Sequence, residues 1–118
     1  MNNKPKYHLF KNTKYALDGF FHALKTESSF RLELVFSIFI MIAIIYIDTT
    51  LTNKLILLVT GILVLIVELV NSAIENVVDL VTKETHPLAK NAKDICSSAV
   101  MFSVFLHAAC WIFILDYL

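Results

Sequence analysis

Between residues 7 and 25, apolar side chains recur at Phe10, Leu17, Phe20, Phe21 and Leu24, with Lys11, Lys14, Asp18, His22 and Lys25 on the opposite side. That 3.6-residue period predicts an amphipathic helix, and its lysines and aromatics suit the plane of an anionic membrane surface rather than a span. Gly19 weakens this helix by about 1 kcal/mol and marks a candidate break or close approach. Thr26-Glu27-Ser28-Ser29 reads as a polar joint. From residue 30 the pattern turns apolar, predicting spans at 30–47, 54–81 and 87–115, the last two extending beyond the apolar layer. Arg31 and Glu33, in the first turn of the first span, can snorkel to the interface. Asp48 to Asn53 forms a turn rich in capping residues. Pro87 suits the first turn of the last helix, where its missing N–H costs nothing, and Trp111 and Tyr117 fall where an aromatic belt is expected.

One stretch breaks the apolar rule. At about 100° per residue, Glu68, Asn71, Ser72, Glu75 and Asp79 form a narrow stripe, while Leu69, Val70, Ile74, Val77 and Val78 cover the remaining surface. A polar seam gluing helices together would explain one Asn or Ser. Three carboxylates and an amide in register point to function, because ionisable groups in a span cost several kcal/mol or more. Counting from residue 55, Glu68 lies about 20 Å along an apolar core about 30 Å thick. Glu68 is thus expected inside lipid, with Glu75 and Asp79 emerging into headgroups and water.

Composition agrees: of 118 residues 58% are hydrophobic, with two Gly and two Pro, and the mean hydropathy of +0.71 is too high for an ordinary soluble domain. The net charge is zero, but its distribution is uneven. Lys4, Lys6, Lys11, Lys14, Lys25, Arg31, Lys83, Lys90 and Lys93 lie on one side of the predicted topology and Lys54 alone on the other. The positive-inside rule then puts the N-terminus and the 80s loop in the cytoplasm. No compact apolar core with a cleavage site appears in the first thirty residues, so the first span is expected to direct insertion. Cys96 and Cys110, separated by roughly 21 Å of helical rise, cannot bridge each other.

Carboxylates at a cytoplasmic interface beside a lysine fit Mg²⁺ bound together with phosphates, and a phosphoryl transferase is the natural reading. Glu27 and Glu75 are candidate metal ligands, Lys93 a phosphate contact, and the deeper Glu68 a general base. There is no GxxxxGK[ST], GxGxxG or HExxH. His8, His22, His86 and His107 have no ligand spacing, which argues against a zinc site, and the basic residues are accounted for by topology rather than nucleic acid.

The run Val67-Glu68-Leu-Val-Asn71-Ser72-Ala73-Ile74-Glu75-Asn-Val-Val-Asp79, followed by His86, Ala92-Lys93-Asp94 and Ser98-Ala99-Val100, closely resembles the prokaryotic diacylglycerol kinases. The resemblance runs from about Tyr15 to Trp111 and includes Glu27 and Phe30-Arg31-x-Glu33. It implies a homotrimer of an all-α integral membrane fold, with three transmembrane helices plus an N-terminal amphipathic surface helix per subunit. It also implies transfer of the ATP γ-phosphate to a lipid hydroxyl at sites between subunits. By position, Glu68 matches the family's base, and Glu27 and Glu75 its metal ligands. Tyr15, Glu84, Thr85, His86, Lys93 and Asp94 resemble its nucleotide contacts. Ser29, Phe30, Arg31, Glu33, Asn71, Ser97 and Trp111 match lipid-pocket and supporting positions. His8 and Ala16 depart from the family's Arg and Ser. A related branch phosphorylates undecaprenol: Glu33 favours diacylglycerol, whereas His-Pro-Leu-Ala-Lys at 86–90 resembles the undecaprenol branch. From the residues alone, a proton-coupled transporter would also want an intramembrane Glu, but it has no use for Glu27, Glu75 and Lys93 at the surface. A non-catalytic membrane subunit would tolerate Ala along the stripe.

Overall fold

A computed structural model describes residues 8–118; Lys4, Lys6 and Tyr7, which entered the charge count and the start of the first helix, lie outside the described residues. Four helices follow one another: α1 (Leu9–Thr26), α2 (Ser28–Tyr46), α3 (Leu51–Val81) and α4 (Pro87–Asp116). No strand occurs among the described residues. Helices α2, α3 and α4 are each long and apolar enough to cross a membrane, so the chain is a multi-pass membrane protein. At 31 residues, α3 measures about 46 Å, longer than the roughly 30 Å apolar layer, which leaves its polar end outside.

Antiparallel α3 and α4 make the main contact, α2 packs on α3, and α1 folds back on α2. The buried apolar core is small: Ile44, Leu57 and Ile114, backed by Ile40, Cys110 and Trp111, form it at the end away from α1. Most large apolar side chains, such as Phe36, Phe39 and Ile45, are exposed. In lipid this carries no penalty, and helix association rests on packing and polar links instead.

The connections show how the helix ends are satisfied. The expected four-residue joint at 26–29 is a single residue, Glu27, with extended backbone (φ −108°, ψ 102°) that ends α1 and begins α2. Ser28 and Ser29 are helical because the corner is secured by Arg31, whose Nη1 donates to the carbonyls of Leu24 (2.8 Å) and Lys25 (2.9 Å). A cation at a helix C-terminus satisfies orphan carbonyls and opposes the negative end of the macrodipole. The next corner repeats the device: Lys54 Nζ donates to Ile45 O at 2.9 Å. Helix α3 starts at Leu51 rather than 54 because the Thr50 side chain caps it, accepting from Asn53 N at 3.2 Å. His86 caps α4 by accepting from Leu88 N, with Pro87 in the first turn. Gly19 breaks nothing: α1 runs through it, and an added Cβ would meet no atom within 4 Å.

Candidate active site

The stripe on α3 becomes a gradient of burial. Glu68, Asn71 and Ser72 are 4%, 9% and 6% exposed, Glu75 is half-buried and Asp79 exposed. Their i, i+3, i+4 spacing holds them on the side of α3 that faces the other helices. Glu27 and Glu75 stand close enough to Glu68 to repel its charge, and Glu68 in turn repels Glu33. Four carboxylates from the α1–α2 corner, α2 and α3 therefore share one electrostatic neighbourhood. Asn71 Nδ2 donates to Glu75 Oε1 at 3.2 Å and fixes that carboxylate along the helix.

Three buried oxygens lack a partner among the described residues: Glu33 Oε2, Asn71 Oδ1 and Ser72 Oγ. Orphaned buried polar atoms are uncommon and call for a ligand or solvent. Ser72 lines a cleft of about 350 Å³ between α1 and α3, whose other walls include Ala16, Gly19, Ala23, Glu27 and Asn76. At Gly19 the wall carries no side chain. A second groove, about 400 Å³ and almost wholly apolar, runs between α2 and α3 and carries Glu33 at its rim.

No group of three or more His, Cys, Asp or Glu converges on one point among the described residues. Glu27 and Glu75 are carboxylates, the donor type that a hard cation such as Mg²⁺ takes one or two of while keeping water and phosphate ligands.

Across from the stripe, Lys93 Nζ donates to Asp79 Oδ1 at 2.6 Å, joining the aqueous ends of α4 and α3. That hydrogen bond, reinforced by the charges of Asp79 and Glu75 against a smaller desolvation effect, holds the Lys93 ammonium above the ordinary lysine range. Asp94 pairs with Lys90 at 2.5 Å. Glu84, Thr85 and His86 lie exposed in the loop between α3 and α4, where Thr82 Oγ1 accepts from Glu84 N. Tyr15 is 64% exposed on α1 and outside the cleft lining. Ser29 and Ser97 are exposed. Phe30 is 1% exposed and meets Phe20 edge-on at 5.7 Å, clamping α1 to α2. Arg31 holds the corner, as described. Trp111 is not brought to the carboxylates: it packs against the cluster of Ile44, Leu57 and Ile114, whose Leu57 is about 16 Å along α3 from Glu68, and it donates to His107.

Sequence reasoning did not select Ala16, Gly19, Ala23 and Asn76 as site residues. The signals were present: small residues at 16, 19 and 23 lie on one face of α1, and Asn76 sits at i+4 from Ser72.

A family model described as prokaryotic diacylglycerol kinase matches residues 14–115. A diacylglycerol kinase of Pseudomonas aeruginosa is 37% identical over 103 residues, covering 87% of this chain and 84% of that protein. One from Helicobacter pylori strain J99 is 36% identical over 103 residues, 87% of this chain and 80% of the relative. The Escherichia coli K12 diacylglycerol kinase is 33% identical over 107 residues, 91% and 88% of the two chains. With a family model that matches residues 14–115 and relatives 33–37% identical over 87–91% of its length, the chain belongs to the prokaryotic diacylglycerol kinase family.

Proposed function

We propose that the chain, working as a single membrane domain over residues 1–118, transfers the γ-phosphate of MgATP to the hydroxyl of diacylglycerol to give phosphatidic acid. The observation that carries this reading is the burial gradient on α3. Its lipid-side end is a buried carboxylate, Glu68, and its water-side end faces Lys93. A kinase whose two substrates live in different phases needs that layout.

Glu68 takes the proton of the lipid hydroxyl as the hydroxyl oxygen attacks the γ-phosphorus and the bond from that phosphorus to the β-phosphate bridging oxygen breaks. Lys93, already protonated, stabilises charge on the transferred group, sharing its ammonium between Asp79 and phosphate. Asn71 orients Glu75. When bound, Mg²⁺ would be held by Glu27 and Glu75 and would neutralise phosphate charge. The nucleotide occupies the α1–α3 cleft, and Glu84, Thr85, His86, Asp94 and Tyr15, on the same aqueous side, contact its parts that project from it. The lipid enters along the α2–α3 groove past Phe30, Glu33 and Ser29. The setting is the bacterial inner membrane, with N-terminus and active site cytoplasmic, an orientation that the bias of basic residues supports, and the working unit is a homotrimer. Ser97 and Trp111 support the lipid from positions that a neighbouring subunit completes.

Undecaprenol is the second acceptor to weigh, because His-Pro-Leu-Ala-Lys at 86–90 resembles that branch. Purified chain in lipid bilayers is given γ-labelled ATP with diacylglycerol or undecaprenol in parallel. Labelled phosphatidic acid as the main product is expected. Preferential labelling of undecaprenol moves the assignment to the other branch. No turnover with either lipid, together with proton flux in liposomes, replaces the kinase by a transporter.

A further inference from the structure

The spanning parts of α3 and α4 enclose a polar cluster to which the proposed reaction gives no proton or phosphate step, although His107 also lines the α2–α3 groove and Trp111 is placed beside the lipid. Thr60 and His107 are buried, 9% and 8% exposed, and meet across the helix interface with Thr60 Oγ1 2.8 Å from His107 Nδ1. The other ring nitrogen, Nε2, accepts from Trp111 Nε1–H at 3.0 Å. Thr60 Oγ1 also lies 2.8 Å from the carbonyl oxygen of Ile56.

These contacts have only one consistent direction. An indole N–H donates and never accepts, so Nε2 presents its lone pair, and a neutral imidazole then carries its proton on Nδ1. That N–H donates to Thr60 Oγ1, whose own hydrogen goes to the Ile56 carbonyl. Every polar hydrogen is used. The opposite tautomer, or a doubly protonated ring, sets N–H against N–H at Trp111. Gly61 makes the room, since a Cβ there would come within 3.2 Å of His107 Cε1.

Apolar contact between helices in lipid discriminates weakly between neighbouring registers, whereas a buried polar contact specifies one. Among the described residues, the only other side-chain hydrogen bond between α3 and α4 is that of Lys93 to Asp79, made by a long side chain on the aqueous side. A one-residue slip moves a helix by about 1.5 Å and turns it by about 100°, which the short Thr60–His107 bond does not survive. We propose that His107 is a positioning residue. In its Nδ1–H form it pins the register of α4 on α3 and so sets where Lys93, about 21 Å away along the same helix, stands against Asp79 and Glu75. The pin stands on geometry alone; its link to turnover rests on the kinase reading.

The first test is on the parent protein. Nitrogen-15 spectra of histidine-labelled chain in bilayers are expected to show a His107 ring protonated at Nδ1 and bare at Nε2, with a hydrogen-bonded indole N–H from Trp111, the sole tryptophan. The Nε2–H tautomer or a doubly protonated ring overturns the proposal. The second test separates the two halves of the chain. His107→Asn places an amide near Nδ1 and still donates to Thr60; His107→Gln places one near Nε2 and serves only Trp111; Thr60→Val deletes the acceptor. For properly folded variants, kcat is expected to fall about threefold to twentyfold in His107→Gln and Thr60→Val, the range that interhelical hydrogen bonds in membranes span. KM for both substrates should stay within about twofold, and His107→Asn should keep near-parental kcat. Equal losses in the Asn and Gln variants, or none in Thr60→Val, overturn the positioning role. Failure of the kinase reading looks different, because the parent itself would then phosphorylate no lipid while its histidine spectrum still decides the pin.

Discussion

Replacing Arg31 by Met keeps the length of the side chain and removes the two hydrogen bonds, 2.8 and 2.9 Å, that tie the last carbonyls of α1 to the first turn of α2. Bonds from a guanidinium are stronger than neutral ones, but this one is exposed and solvent competes for it. About 1–2 kcal/mol for the pair is the appropriate scale, a factor of about 5–30 in the population of the closed corner. Glu27 is that corner. If the resemblance alone fixed the role of Arg31, its loss would weaken the lipid. If the corner fixes it, Arg31→Met raises KM for MgATP by up to that factor and leaves kcat and the diacylglycerol KM within about twofold. A second readout is proteolytic. Arg31 holds the carbonyl of Lys25 itself, so trypsin should cut after Lys25 faster in the variant. An unchanged MgATP KM with a tenfold higher lipid KM would refute the corner argument and return Arg31 to the lipid pocket.

Glu68→Gln is expected to lose about 10²–10⁴ in kcat, the usual worth of a general base, with membrane insertion and oligomeric state unchanged, since it relieves repulsion from Glu75 and Glu27; wild-type turnover would remove Glu68 from the mechanism. Gly19→Leu should stabilise α1 by about 1 kcal/mol, because its Cβ meets nothing, yet raise KM for MgATP by filling the cleft beside Glu27 and Ser72; an unaltered KM would place the nucleotide elsewhere. Asp79 and Glu75 raise the Lys93 pKa, so its charge is complete below the ordinary lysine range and is lost only as pH rises through the higher folded value. The pH–rate profile should accordingly show no falling limb from Lys93 between about pH 6 and 9. If Lys93→Arg abolishes a falling limb inside that window, the raised pKa is wrong.

Helix type and number were legible because the apolar period of residues 10–24 and the unbroken runs after residue 30 each admit one solution in a membrane. The inward face of α3 was legible for the same reason: Glu68, Asn71 and Ser72, spaced i, i+3, i+4, are its buried polar residues toward the aqueous end. The one-residue corner was not, since it depends on Arg31 reaching back to carbonyls six and seven positions earlier, a contact no local propensity encodes. The cleft was hidden because it is made by what is missing, with small residues at 16, 19 and 23 leaving space against Ser72 and Asn76. His107 looked like one of four scattered histidines. Its partner Thr60 is 47 positions away, and only the packing of α4 on α3 joins them.

The corner at Glu27 also constrains chain length, independently of which residue stands there. Two helices separated by one non-helical residue are tied closely in phase: adding or deleting a residue at 27 re-aims all of α1 relative to α2. Phe20 would swing away from Phe30, and the small face at 16, 19 and 23 would no longer look at α3. Point substitutions at this joint are graded in their effect, whereas insertions and deletions are all-or-none. Length variation in chains that keep this architecture should therefore gather before residue 9 and in the loop at 82–86, and be absent from the joint itself.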